Sequence, residues 1–135
     1  MRPEVWGPHA WMFLHSITLE YPDEPTDKDK QDMITFIGVL GDVLPCKKCR
    51  INFKTHVDKY PLDNKALESK KNLVKWLIDI HNCVNGVKQC KELSYEDALQ
   101  ELLKNYNNST SSSKYIYIFI FILFIIFCLV IILLV

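Results

Sequence analysis

Four cysteines in the first 104 residues raise the chemical question: Cys46 and Cys49 in LPCKKCRINF, then Cys83 and Cys90. A Cys-x-x-Cys pair can supply half of a metal site, close a small structural bridge, or trade electrons as a dithiol and disulfide. A closed zinc site takes four Cys or His ligands, usually from two closely spaced pairs. Here the second pair would come from His81, Cys83 and Cys90. Cys83 and Cys90 have six residues between them, wider than usual, and His81 and Cys83 are two apart on an expected helix, so they point to different faces. The redox reading has its own physical support. Pro45 disfavours helix at Leu44, so the pair falls at the start of a new helix. Unpaired N–H groups and the helix dipole favour an anion there, and Lys47, Lys48 and Arg50 add positive potential. The plainer reading of these three cations is a solvated, charged turn.

Two further clusters carry polar or aromatic groups at helical spacing. In HNCVN, residues 81–85, His81 and Asn85 are four apart and share a face, with Asn82 beside them. Trp11 and His15 are also four apart. Taken alone, the first reads as a water-exposed helix end and the second as core packing.

The elements that must position these groups are helical nearly throughout. Residues 6–21 place Ala10, Phe13, Leu14 and Ile17 on one stripe, with Trp11 and His15 on a neighbouring face. YPDEPT, residues 21–26, breaks the chain, and Thr26 with Asp29 forms a capping pair for a second helix. Its core stripe is Met33, Phe36, Ile37, Leu40, Val43 and Leu44. A third helix, from about Cys46, carries Ile51, Phe53 and Val57 until Pro61 stops it. Residues 67–85 form the strongest amphipath, with Leu73, Leu77, Ile80 and Val84 on one stripe, Trp76 beside them and Gly86 as terminator. Ser94 with Asp97 caps a last short helix carrying Ala98, Leu99, Leu102 and Tyr106. No stretch alternates long enough to be a strand, so the βαβ setting of a thioredoxin-like Cys-x-x-Cys is missing. Short connections predict an all-α fold, a small bundle of antiparallel helices.

Composition sets the remaining bounds. The 135 residues carry 16 basic and 16 acidic side chains, with no basic stripe or RNA-binding motif, so nucleic acid is a poor partner. Residues 115–135, YIYIFIFILFIIFCLVIILLV, contain no charge, proline or glycine. As a helix they would reach roughly 31 Å, enough for a bilayer core. The fifth cysteine, Cys128, lies in this run. NYNNSTSSSK, residues 105–114, reads as a polar linker. The expected organisation is a soluble domain over 1–104, the linker over 105–114 and a transmembrane helix over 115–135. With no signal peptide evident, a C-terminal tail anchor holds the domain on the cytosolic side. In that compartment metal or catalytic cysteines gain over a disulfide framework.

Three ordered motifs resemble one family, the ERV/ALR flavin-dependent sulfhydryl oxidases: WGPHAWMFLHSITLEYPDEPT, LPCKKC behind an amphipathic helix, and HNCVN in the fourth helix. The resemblance spans about residues 5–86. It implies a four-helix bundle with a short fifth helix enclosing FAD, and no metal. By motif position, Trp11 and His15 pack against the adenine end of FAD. His81, Asn82 and Asn85 contact it from the fourth helix, Trp6 and Gly7 shape the N-terminal wall, and Lys88 approaches a phosphate. Tyr21 is a further cofactor-side residue. Cys46 becomes the outer cysteine attacked by substrate thiolate, and Cys49 the flavin-proximal one. Electrons pass to FAD and on to O2, giving hydrogen peroxide. The implied partners are a dithiol protein, in one form a small thioredoxin-like protein, and a second copy of the chain in a homodimer. Family members often clamp the fourth helix with a disulfide; here that implies a Cys83–Cys90 bridge. They also often carry a shuttle dithiol on a flexible tail, which is not found here, so substrate reaches Cys46 directly. This compact form is similar to those of large cytoplasmic DNA viruses, which places the membrane in a virion or host cell. The competing readings are a membrane-tethered zinc-binding module and an inactive helical interaction module.

Overall fold

The computed structural model describes residues 1–88, 92–100, 102–104 and 117–126. Among the described residues four long helices follow one another, α1 (Pro3–Leu19), α2 (Asp27–Val43), α3 (Lys47–Lys59) and α4 (Lys70–Val87), and residues 95–100 and 102–104 are also helical. No strand occurs among the described residues. The chain divides into two compact units, Met1–Ala98 and Leu99–Val135.

Each helix of the first unit starts where a local signal puts it. Pro3 opens α1, because its fixed φ suits a first helical position and its missing N–H has no partner there. The helix therefore begins three residues before Trp6 and runs through Pro8. At Thr26 the expected capping pair is formed: the Asp29 N–H donates to Thr26 Oγ1 at 3.2 Å, and the Thr26 N–H donates to Asp29 Oδ2 at 2.8 Å. Ser69 caps α4 by accepting from the Asn72 N–H at 3.3 Å. Residues 64–67 form a turn rather than helix, with Asp63 Oδ1 accepting from the Ala66 N–H at 2.9 Å. The fourth helix therefore starts at Lys70 and not at residue 67. Gly86 does not terminate it: it has no left-handed φ, and α4 closes one residue later, where the Lys88 N–H bonds the carbonyls of Val84 and Asn85.

Helix α4 is the core. Leu73, Leu77 and Ile80 are fully enclosed and pack with Leu14, Tyr21, Met33, Ile37, Phe53 and Leu67. Helix α1 packs on α4, α4 on α3, and α3 on α2. A second face of α4, Val74 and Ile78, packs on Ala98, Leu19, Leu93 and Tyr95. The buried stripe of α1 is Gly7, Leu14, His15 and Thr18, so the face carrying Trp11 and His15 is the inner one and Phe13 is 61% exposed. Val43 and Ile51, expected in the core, are likewise exposed, because each lies to one side of its helix's buried ridge. The Ser94 cap is present, accepting from the Asp97 N–H at 3.0 Å; Tyr106 lies outside the described residues.

In the second unit, residues 117–126 are helical and every one of their side chains is apolar and exposed. No helix among the described residues is long and apolar enough to cross a membrane. The linker and most of the expected span over 115–135 lie outside the described residues.

Candidate active site

Cys46 is the N-cap of α3, and Cys49 follows one turn in. The two are joined as a disulfide with their Cα atoms 5.1 Å apart. Leu44 and Pro45 make the sharp entry: Leu44 leaves the helical region, and the Cys46 N–H returns to the Leu44 carbonyl at 2.8 Å. The Arg50 guanidinium also donates to that carbonyl, at 2.6 Å, so a basic side chain holds the turn. The sulfur itself replaces the usual capping oxygen, with Cys46 Sγ accepting from the Cys49 N–H at 3.2 Å.

This disulfide borders a cavity of about 340 Å³ enclosed by all four helices. Such a volume lies within the ~300–1,000 Å³ of small-molecule sites. Trp6, Gly7, Trp11 and Leu14 line it from α1, Leu40 and Leu44 from α2, Asn52 and Phe53 from α3, and Val84, Val87 and Lys88 from α4. Its wall is mostly apolar, with Glu4, Lys48 and Lys88 as the charged residues. A Cβ built on Gly7 would meet nothing within 4 Å, so the glycine leaves room in the cavity.

Beside the cavity, α1 and α4 bring three rings together. His81 stacks on Trp11 with centroids 4.0 Å apart and planes 11° from parallel. His15 Nε2 and His81 Nδ1 are 3.1 Å apart and share one hydrogen bond. Burial pushes the pKa of His15 down to about 4. Burial does the same to His81, also to about 4, with smaller contributions from the charges of His15 and Lys88. Both rings are therefore neutral near pH 7, and their shared bond fixes the rest. Whichever nitrogen donates, one of the outer nitrogens, His15 Nδ1 and His81 Nε2, is left a donor and the other an acceptor. His15 Nδ1 and Trp6 Nε1 are buried and have no hydrogen-bond partner among the described residues. A native fold rarely leaves such atoms unmatched unless something else completes them.

Among the residues expected from sequence, Trp6, Gly7, Trp11, Cys46, Cys49 and Lys88 gather on the cavity, with His15 and His81 against Trp11. Asn85 lies one turn beyond His81 on α4 and is half-buried. Two others are used elsewhere. The Asn82 side chain grips the backbone of Leu93, donating to its carbonyl and accepting from its N–H, both at 2.9 Å. Its hydrogen-bonding groups are thus occupied by protein. Tyr21 is buried in the core, donating its hydroxyl to the Leu67 carbonyl at 3.2 Å, and does not border the cavity. Cys83 is a half-buried free cysteine inside α4; Cys90, its expected bridge partner, lies outside the described residues. Sequence reasoning missed Asn52 as a cavity residue, although it stands one turn after Cys49 on the same helix. With Cys46 and Cys49 bonded to each other, no group of three or more His, Cys, Asp or Glu among the described residues is placed to hold a metal ion.

Known proteins resemble this chain in sequence and fold. The Erv1 / Alr family model matches residues 8–103. The probable FAD-linked sulfhydryl oxidase of Acanthamoeba polyphaga mimivirus is 48% identical over 104 residues, 77% of this chain and 73% of the relative. The mitochondrial FAD-linked sulfhydryl oxidase of Saccharomyces cerevisiae is 35% identical over 83 residues, 61% of this chain and 42% of that protein. The solved FAD-binding domain of Erv1 from Saccharomyces cerevisiae superposes with a TM-score of 0.65 at 28% identity, over 71% of this chain and 89% of that structure. A match over most of the four-helix unit, joined to a viral relative alike along nearly three-quarters of its length, makes this chain a member of the Erv1/Alr family.

Proposed function

We propose that the chain is an FAD-linked thiol oxidase that forms disulfides in partner proteins. The single observation that carries this reading is the Cys46–Cys49 disulfide set on the wall of an apolar cavity that Trp6, with its unmatched Nε1, also lines. Those residues fit FAD. On the cavity wall Trp11 offers an aromatic surface for a ring, Trp6 Nε1 offers a polar partner and Gly7 leaves space, with His15 and His81 packed against Trp11. Lys88 supplies a cation where a phosphate would be held, and Asn85 a polar side chain one turn before the helix end.

The thiol steps fall to the two cysteines. A substrate thiolate attacks Cys46 Sγ, the Cys46–Cys49 bond breaks, and Cys49 leaves as a thiolate. The α3 N-terminus and the nearby cations stabilise that anion. The second substrate thiol, after losing its proton, attacks the mixed disulfide and releases Cys46. Substrate is thereby oxidised and the pair reduced by two electrons. FAD held there would supply the two-electron chemistry by which the pair returns to the disulfide and O2 is reduced to hydrogen peroxide.

The chain acts as a homodimer in this reading, for which exposed Phe13 on α1 and Ile34 and Val39 on α2 supply apolar surface. Residues 115–135 anchor it in a virion or host membrane, with the catalytic unit facing the cytosol and a small thioredoxin-like dithiol protein as one form of substrate. The test uses the full chain purified in detergent. A yellow protein with a flavin spectrum should consume O2 on addition of dithiothreitol and produce peroxide in equal amount. A colourless preparation carrying stoichiometric zinc would replace this reading with a metal module, and flavin without O2 uptake would leave an inactive scaffold.

A further inference from the structure

The first turn of α3 is built against its own dipole. Lys47 and Lys48 occupy its first two helical positions, and no acidic residue lies in that turn. Cations are disfavoured at a helix N-terminus, where the dipole favours carboxylates. Helix α2 shows the usual arrangement, with Asp27 and Asp29 in its first turn. Nor are these lysines neutralised locally. Lys28, Lys30, Lys54, Lys70 and Lys75 each pair with an aspartate, whereas among the described residues Lys47 and Lys48 pair with none and both are exposed. Arg50 adds a third positive charge, held near the pair by its bond to the Leu44 carbonyl. Along α3 the first carboxylate is Asp58, three turns away. The cavity wall contributes one opposing charge, Glu4 from α1.

Two exposed apolar side chains adjoin these cations in the chain. Ile51, one turn beyond Lys47, is 58% exposed, and Val43, at the end of α2 just before the turn, is 63% exposed. Exposed apolar groups bordered by unpaired charge of one sign have the composition of a docking face, with contact area within and steering charge around it.

We propose that this face docks an acidic dithiol polypeptide, one whose reactive cysteines are flanked by carboxylates. The inference rests on the oxidase reading and names the chemistry of its substrate. It also carries a kinetic signature. Neighbouring carboxylates raise a thiol's pKa, so an acidic dithiol free in solution holds less thiolate than a neutral one and attacks disulfides more slowly. Docked against Lys47 and Lys48, those carboxylates are compensated. The enzyme should therefore invert the intrinsic order of reactivity.

The full chain would be assayed with three peptides that share one Cys-x-x-Cys core, flanked by Asp and Glu, by Ser, or by Lys. At low ionic strength, about 0.02 M, the acidic peptide should have a kcat/KM about tenfold above the Ser peptide, with the Lys peptide lowest. At about 0.5 M salt the three should converge, because the Debye length falls to a few ångströms. In the Lys47→Glu/Lys48→Glu double variant the acidic-to-basic ratio should invert. Equal rates for all three peptides, a preference for the Lys peptide, or a ranking indifferent to salt would overturn the proposal. Dithiothreitol separates the two levels of failure. If it drives O2 uptake while the peptides are not discriminated, only the docking inference falls; if neither it nor any peptide is oxidised, both readings fall.

Discussion

Cys46 and Cys49 differ in position more than in kind. Cys46 caps α3 and follows the sharp turn at Leu44 and Pro45, whereas Cys49 sits a turn inside the helix. A Cys49→Ser variant should keep its flavin spectrum and lose thiol-driven O2 uptake by at least about a thousandfold, since the two sulfurs act as one unit; substantial residual turnover would reassign the proximal role. Cys46→Ser should be equally inactive yet keep α3, because serine is a good N-cap and can accept the Cys49 N–H in place of sulfur. Circular dichroism beside the O2 electrode reads both. The histidine pair predicts a pH effect. His15 and His81 are held near pKa 4, while in the unfolded chain each takes up its proton near pH 6.5. Between those values the unfolded state binds more protons. The stability tied to neutral rings is therefore complete above about pH 6.5 and declines as pH falls toward 4, by up to about 1.4 kcal/mol per pH unit for each histidine. Urea midpoints at pH 7, 6 and 5 measure it, and His15→Gln should flatten the slope by about one proton. A slope unchanged in that variant would mean that His15 titrates normally in the fold.

At the scale of elements, α4 does two jobs, and Asn82 shows the second. Its side chain fixes the backbone of Leu93 through two hydrogen bonds, beside the packing of Val74 and Ile78 on Ala98. Asn82→Ala should cost about 1–3 kcal/mol, since it leaves a partly buried N–H and C=O unmatched. For a unit of about 100 residues that lowers Tm by several degrees. Flavin affinity should change little; a large loss of flavin with an unchanged melting temperature would return Asn82 to the cofactor. The existence and order of the helices were legible in the sequence, because Thr26, Pro45, Pro61 and Ser94 are strong local signals. Which face turns inward was less legible. Helix α1 carries apolar groups on two faces, and only tertiary packing selects the one with Trp11 and His15 over the one with Phe13. The site followed the same rule. Trp6, Gly7, Trp11 and both cysteines reached the cavity, while Asn82 and Tyr21, from the same motifs, were drawn into the scaffold by the backbone of Leu93 and Leu67. No pattern within HNCVN marks that the Asn82 amide is taken up by the backbone of Leu93.

The whole molecule joins two surfaces of opposite character. The first unit encloses its apolar side chains around α4, whereas residues 117–126 form a helix with ten apolar side chains exposed on all sides, from 43% at Ile125 to 70% at Tyr117. Fully burying an Ile, Leu or Phe stabilises by about 1.5–3 kcal/mol, and the nine here are roughly half exposed, so this stretch alone carries on the order of 10 kcal/mol of drive toward an apolar phase. As helix it covers about 15 Å, half of a hydrocarbon core, and the uncharged run to residue 135 supplies the length for the remainder. The expected behaviour is integral membrane association. When the chain is expressed in cells, it should sediment with membranes, resist extraction at high pH and enter solution only with detergent. A chain ended after residue 104 should remain in the supernatant while keeping flavin and dithiothreitol-driven O2 uptake, because every residue assigned to the cavity lies before residue 89. Release of the full chain by alkaline carbonate would disprove the anchor, and loss of flavin on truncation would show that the second unit contributes to the site. In the proposed anchored form the oxidase would hold a fixed location, and disulfides would form only in dithiol partners brought to that membrane surface.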